Sequence, residues 1–364
     1  MKMILTVLMC ALAACVLFTA HSQSAYKKPA NKVLAISGGG ARGAWGLGVA
    51  ETLFDQSGGY RAVFGTSTGS LMAPMVLLQQ WGKLEFQYTS VTQKSIFSKN
   101  PFKVKKVNGT VTTQLKSFNA IWRLIWGKAT LGETENLRDL IKTCFTPADF
   151  QTLKNLYKTD SLVLCVAVTN MSSGRSDIRS SEHITDYEEM INWIWASSNQ
   201  PIFMSYTMMN DSAYVDGGMR EIVPLRAAVT YAIQHNVDTL EVIVNDSQQA
   251  RDTVWSVNEH KGYFAGGLMR VLEVYNSNTL YYNILAGELL TELNDVEIEE
   301  NPAGGGDDLT IIVYSMPYAL AATYRDELGF DKVKMTELLK EGKAFIKSKR
   351  YDKNTRQVYR ARKN

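Results

Sequence analysis

Lys32-Val33-Leu34-Ala35-Ile36-Ser37-Gly38-Gly39-Gly40-Ala41-Arg42-Gly43 is the stretch whose reading decides the fold. A short apolar run, of strand length, ends in glycines. From Gly43 the apolar residues recur at helical spacing over 43–54, and Gly58-Gly59 stops the helix. The pattern then repeats: 60–64 reads as a second strand, Gly65-Thr66-Ser67-Thr68-Gly69 as a turn, and 71–80 as a second helix. Fully apolar strands alternating with helices are buried on both faces and joined by right-handed crossovers. The expected architecture is therefore three-layer α/β/α around a mostly parallel central sheet.

Outward from that stretch the pattern is interrupted once. Residues 83–132 carry Lys83, Lys94, Lys99, Lys103, Lys105, Lys106 and Lys116 among Phe86, Tyr88, Phe97 and Phe102, and read as an insertion over one end of the sheet. Helices are predicted at 137–145, 186–196, 225–235 and 331–348, and strands at 161–169, 239–245 and 309–316. An apolar helical stretch is expected at 268–293. The basic tail 349–364 reads as a frayed, solvated helix end.

The leader is of another kind. Lys2 precedes an apolar run from Ile4 to Ala20, and polar residues begin at His21. This is the pattern of an export signal occupying 1–22, with cleavage near Ser22. Leu12-Ala13-Ala14-Cys15 leaves a lipoprotein signal with lipidated Cys15 as the alternative, although Val16-Leu17-Phe18 continue the apolar run past that cut. Cys10 and Cys15 lie in the leader, so the rest of the chain keeps Cys144 and Cys165. Both sit in apolar stretches and read as buried free thiols rather than a disulfide. A net charge of +3 on 364 residues excludes a polycation built to hold nucleic acid.

Three loops carry the chemistry. The glycines at 38–40 present backbone N–H groups at a helix N-terminus, which suits an approaching anion. Alone, that loop also fits a dinucleotide-binding fingerprint, which wants an acidic residue at the end of the second strand. Here the second strand ends instead in Gly65-Thr66-Ser67-Thr68-Gly69, a G-x-S-x-G elbow that exposes a serine hydroxyl on a sharp strand-to-helix turn. A serine needs a base. His183, His235 and His260 follow Ser67, but none sits at a glycine-flanked strand end. Asp216-Gly217-Gly218, after the apolar Tyr214-Val215, does, although such a tripeptide also fits a plain turn.

In that order the three loops resemble the signatures of patatin-like phospholipases. Ala196-Ser197-Ser198-Asn199-Gln200-Pro201, the run from Val223-Pro224-Leu225 to Val242-Ile243-Val244, and Leu328-Gly329-Phe330-Asp331 before a helix are similar to other blocks of that family. The resemblance covers roughly 32–348 and implies a catalytic domain over 31–348. It implies a lipid acyl hydrolase with Ser67 as nucleophile and Asp216 as base. Gly38, Gly39 and Gly40 would form the oxyanion hole with Arg42 orienting it, and Gly43, Gly65, Gly69, Gly217 and Gly218 would shape the loops. No metal or organic cofactor is implied. Ser37 departs from the acidic residue that many members carry before the glycines. A Ser-His-Asp esterase, or a lipid- or nucleotide-binding protein without catalysis, stays open on the residues alone. The expected partner is a lipid ester at a membrane or micelle surface, with Lys103, Lys105 and Lys106 placed to meet anionic head groups.

Overall fold

The computed structural model describes residues 26–107, 110–116, 122–123, 125–247 and 308–362. The leader, the stretch expected to be helical at 268–293, and His260 lie outside them, as do the side chains of Lys105 and Lys106.

In chain order the strands are β1 (Lys32–Ile36), β2 (Ala62–Thr66), β3 (Phe102–Val107), β4 (Thr110–Leu115), β5 (Val163–Asn170), β6 (Arg175–Ser180), β7 (Thr207–Met209), β8 (Ser212–Asp216), β9 (Thr239–Val244), β10 (Asp308–Ser315) and β11 (Arg356–Arg362). The helices are α1 (Gly43–Ser57), α2 (Thr68–Leu77), α3 (Trp81–Ser90), α4 (Gln93–Ile96), α5 (Glu135–Cys144), α6 (Pro147–Asp160), α7 (Tyr187–Ser197), α8 (Leu225–Gln234), α9 (Tyr318–Thr323) and α10 (Lys332–Ser348). The main sheet runs β11-β10-β9-β1-β2-β5-β8-β7, with β6 also on β5. From β10 to β5 it is parallel, and the flanks are antiparallel.

Alternation along each central strand sorts the core into two halves. Leu34 and Ile36 face one side with Val63, Leu164 and Val166, packed against Trp45 and Leu47 of α1, Met72 of α2, Trp193 of α7 and Leu338 of α10. Val33 and Ala35 face the other with Phe64, Val242 and Ile311, covered by Ala228, Val229 and Ala232 of α8. Helices on both faces are what let β1, β2 and β5 be buried along nearly their whole length. The three-layer α/β/α expectation holds.

One register fixes where the loops meet. Val163 to Ala167 of β5 pair with β2, while Cys165 to Asn170 pair with β6 on the opposite edge. Val168 to Asn170 pair with β8. Since β6 holds the far edge along those same residues, β8 lies on the β2 edge, just past the end of β2. Asp216, paired with Val168, thus comes next to the position that Thr66, paired with Ala167, vacates.

Two expectations change. The tail is not a frayed helix end: α10 stops at Lys349 in the left-handed conformation, and β11 then adds antiparallel to β10. Tyr359 enters the core at 7 % exposure. The insertion is also less detached than its composition suggested. Leu84, Tyr88, Phe97 and Phe102 are buried in the main core, and Phe102 packs on Phe203 with ring centroids 5.2 Å apart. Only β3 and β4 form a separate hairpin. Cys144 and Cys165 are unpaired, the first half-buried and the second buried.

Tyr359→Ala should therefore lower unfolding free energy by about 3 kcal/mol, the usual loss for a large buried ring. Chemical denaturation checks this; an unchanged midpoint would return the segment to solvent.

Candidate active site

Ser67 stands between β2 and α2 with φ 55 and ψ −122, outside the regions that side chains ordinarily occupy. Such a conformation costs on the order of 1–3 kcal/mol and persists only when its surroundings over-determine it. They do so here. The Ser67 carbonyl accepts the Ser70 N–H at 2.9 Å and the Ser70 hydroxyl at 2.7 Å. The Ser67 N–H donates to Ser197 Oγ at 3.0 Å, and Ser197 in turn donates to the Ala167 carbonyl at 2.7 Å. Around the turn, a Cβ on Gly65 would enter the backbone of Gly69, and one on Gly69 the carbonyl of Ile36. That is why this elbow needs glycine at both positions.

The two other loops converge on it. Gly39 and Gly40 have φ 143 and φ 54, and a Cβ on Gly38 would lie 3.2 Å from Ser67 Cβ. Glu221 and Ile222, just past Asp216-Gly217-Gly218, are pinned to both strand ends. The Thr66 hydroxyl donates to the Glu221 carbonyl at 3.0 Å, and the Gly38 N–H donates to the Ile222 carbonyl at 3.0 Å. A Cβ on Gly217 would collide with the Ala167 carbonyl, so the loop passes flush against β5. The Asp216 N–H donates to the Asn199 carbonyl at 2.9 Å. Residues 197–199 thus hold the backbone of both Ser67 and Asp216.

Asp216 is buried, at 8 % exposure. Its carboxylate accepts the Gly218 N–H at 2.7 Å, and the Ser67 side chain stands beside it. Burial pushes its pKa up to about 7; the Ser67 hydroxyl and the Gly218 N–H act against that rise by favouring the charged form, and the nearby Glu327 charge adds to it. The carboxyl is thus about as basic as a histidine, as a proton acceptor near neutral pH must be.

The glycines do not contribute equally. The Gly38 N–H is taken by Ile222, whereas no described residue accepts the Gly39 or Gly40 N–H. Arg42 does not line the pocket that holds Ser67 and Asp216. It donates to both carboxylate oxygens of Asp246, at 2.8 and 3.0 Å, and pairs with Glu327. The Glu327 carbonyl takes the Ala41 N–H at 2.8 Å. Arg42 therefore fastens the glycine loop to the ends of β9 and of the segment before α10. Ser37 uses its hydroxyl to accept the Asn245 N–H at 2.8 Å. Asp246, Glu327 and Ser197 had no assigned role in the sequence. A buried arginine demands carboxylate partners, but nothing local says which ones.

A pocket opens on Ser67, the glycine loop and Asp216. Its walls are apolar, from Leu71 and Met75 of α2, Leu84 of α3 and Ile141 of α5. Lys83 at its edge is paired with Asp149 at 3.0 Å. Among the described residues no histidine lines it. His235 lies on α8's side of the sheet, stacked on Tyr231 at 3.9 Å between ring centroids.

Fold and site together define an α/β protein with a serine elbow, a carboxyl beside it and an apolar pocket. A family model described as patatin-like phospholipase matches residues 34–229, more than half of the chain, and the chain belongs to that family of lipid acyl hydrolases. Among solved structures it is similar to VipD from Legionella pneumophila, at 12 % identity and a TM-score of 0.38, over 86 % of this chain and 67 % of that one. No curated protein matches.

A raised acidic pKa has a signed consequence for stability. Between about pH 4 and 7 the folded chain holds the Asp216 proton that the unfolded chain gives up, so stability falls as pH rises through that window. Asp216→Asn removes the ionisation. Relative to the parent, its unfolding free energy should rise by a few kcal/mol from pH 4 to pH 8, at about 1.4 kcal/mol per pKa unit. Paired denaturation curves across pH check this; parallel profiles would mean an ordinary carboxylate.

Proposed function

We propose that the chain hydrolyses carboxylic esters of lipids through a Ser67–Asp216 dyad, with the N–H groups of Gly39 and Gly40 as the oxyanion hole. The observation that carries the reading is the buried Asp216 carboxyl, with its raised pKa, brought beside Ser67 at the junction of β2 and β8 and lining the same pocket. Ser67 Oγ attacks the ester carbonyl carbon as its proton passes to Asp216. The two glycine N–H groups receive the charge that develops on the carbonyl oxygen. Collapse expels the alcohol, which takes the proton from Asp216. Water then gives a proton to Asp216 and attacks the acyl group on Ser67, and loss of Ser67 with that proton completes the release of the fatty acid.

The rival chemistries have less support. A Ser-His-Asp esterase needs a histidine at Ser67, and neither His183 nor His235 lines the pocket. A dinucleotide site wants an acidic residue ending β2, where Thr66 and Ser67 stand. The apolar pocket walls suit an acyl chain. We propose further that Lys103, exposed on the β3–β4 hairpin, acts with Lys105 and Lys106 in meeting anionic head groups.

Ser67→Ala and Asp216→Asn should each lower kcat/KM on a soluble ester by roughly 10^4-fold or more, since members of one catalytic unit are not additive. In the parent, kcat/KM should rise with pH through about 7 as Asp216 deprotonates. A fluorophosphonate should label Ser67. Full activity in Asp216→Asn, or its loss in a single histidine variant, would replace the dyad. Replacing Lys103, Lys105 and Lys106 with glutamine should slow hydrolysis of anionic vesicles at low salt and spare the soluble ester. No difference on those vesicles would make the hairpin an ordinary solvated one.

A further inference from the structure

Within the basic, aromatic segment at 83–132 the rings divide. Phe97 and Phe102 are buried and Phe86 is exposed, and the largest exposed apolar cluster among the described residues of the segment lies on one turn. Trp122, Ile125 and Trp126 are 45, 68 and 75 % exposed. The Trp126 N–H donates to the Trp122 carbonyl at 3.0 Å, and the Lys128 N–H to the Arg123 carbonyl at 3.0 Å, so these residues lie on a helical turn. Spacings of three and four put Trp122, Ile125 and Trp126 on one face. Arg123 takes the opposite direction. Its Nε donates to the Thr130 carbonyl at 3.0 Å, and its guanidinium pairs with Glu133 at 2.8 Å. The charged side chain is turned inward and the apolar ones outward, the reverse of a soluble surface turn.

The turn is tied to the pocket mouth. Thr130, which accepts from Arg123, precedes Leu131, whose N–H donates to the Ile202 carbonyl at 2.8 Å. Ile202 lies between Pro201 and Met204, both of which line the pocket. Two exposed lysines belong to the same region: Lys128 follows the turn, and Lys99, exposed as well, exchanges backbone hydrogen bonds with Glu133 at 3.2 and 3.0 Å. Two exposed tryptophans and an isoleucine on one face, with cations nearby, are the composition of a segment that sits at the boundary between lipid head groups and acyl chains.

Resting on the lipid-hydrolase reading, we infer that Trp122, Ile125 and Trp126 form the anchor by which this protein seats its pocket mouth on a phospholipid bilayer. The aromatic rings enter the boundary layer, the lysines face the head groups, and the Leu131–Ile202 connection holds the mouth at the surface. The contribution of the rings is apolar, so it persists at high salt, where attraction by exposed lysines is screened.

The test uses the full chain with phosphatidylcholine vesicles at high salt, which isolates the apolar part. Changing Trp122, Ile125 and Trp126 together to serine should weaken vesicle partitioning at least tenfold. The thermal midpoint and the Ser67-dependent rate on a soluble ester should stay within twofold of the parent rate and within a few degrees of its midpoint. A second variant covers misfolding: Trp126→Phe keeps an apolar ring and should still partition, yet lose part of the quenching of protein fluorescence by brominated lipid. Unchanged partitioning in the triple variant, or quenching that ignores Trp126, overturns the inference. So does a parent dimer that the triple variant converts to monomer, because the turn would then join two copies. A dead parent on the soluble ester would instead count against the hydrolase reading, which the binding arms do not touch.

Discussion

β5 has one edge on which two strands are placed end to end. β2 uses it as far as Thr66, opposite Ala167, and β8 takes it from Asp216, opposite Val168. Ser67 leaves the sheet where Asp216 arrives. Because side-chain direction alternates along a strand, a slip of one residue in the β5–β8 register would send Asp216 to the other face. Much else follows from that junction. Gly217 must lack a side chain to pass the Ala167 carbonyl, and the Glu221–Ile222 carbonyls must reach Thr66 and Gly38. Ser197 serves both sides, taking the Ser67 N–H while donating to Ala167.

Electrostatics divides the buried charges into two groups. Arg42 is surrounded by Asp246 and Glu327, so its charge is spent on holding the glycine loop to the C-terminal part of the chain. Asp216 has no described cation beside it, and both the Gly218 N–H that it accepts and the neighbouring Ser67 hydroxyl are neutral. Desolvation outweighs both, and the carboxyl's pKa rises to about 7. A lysine or arginine at Asp216 would undo this by favouring the carboxylate. Exclusion of cations from the pair is therefore as much a part of the site as the pair itself.

Much of this was legible in the sequence. Each of the three loops announces itself as an apolar strand running into glycines, because a backbone that must pass close to another has no room for a side chain. Gly65, Gly69 and Gly217 are examples in which local composition records a tertiary contact. Partners remote in the chain leave no such record. Nothing near Arg42 names Glu327, and nothing in Ser197 names the Ser67 N–H. β11 was misread because arginines spaced along a strand look like a solvated tail, although Val358 and Tyr359 sit between them. The aromatics of 83–132 could not be sorted beforehand for the converse reason, since composition does not say which ring faces inward. Phe102 does, and Trp126 does not.

What the rest depends on is the placement of Ser67 beside a buried carboxyl with raised pKa. Carbon-13 labelling of aspartate carboxyls, followed by NMR across pH, reads it directly. Asp216 should titrate near 7 in the parent, identified by the resonance absent from Asp216→Asn. It should titrate higher in Ser67→Ala, because the lost hydroxyl favoured the charged form. An Asp216 that titrates near 4 and ignores the loss of Ser67 would contradict the account.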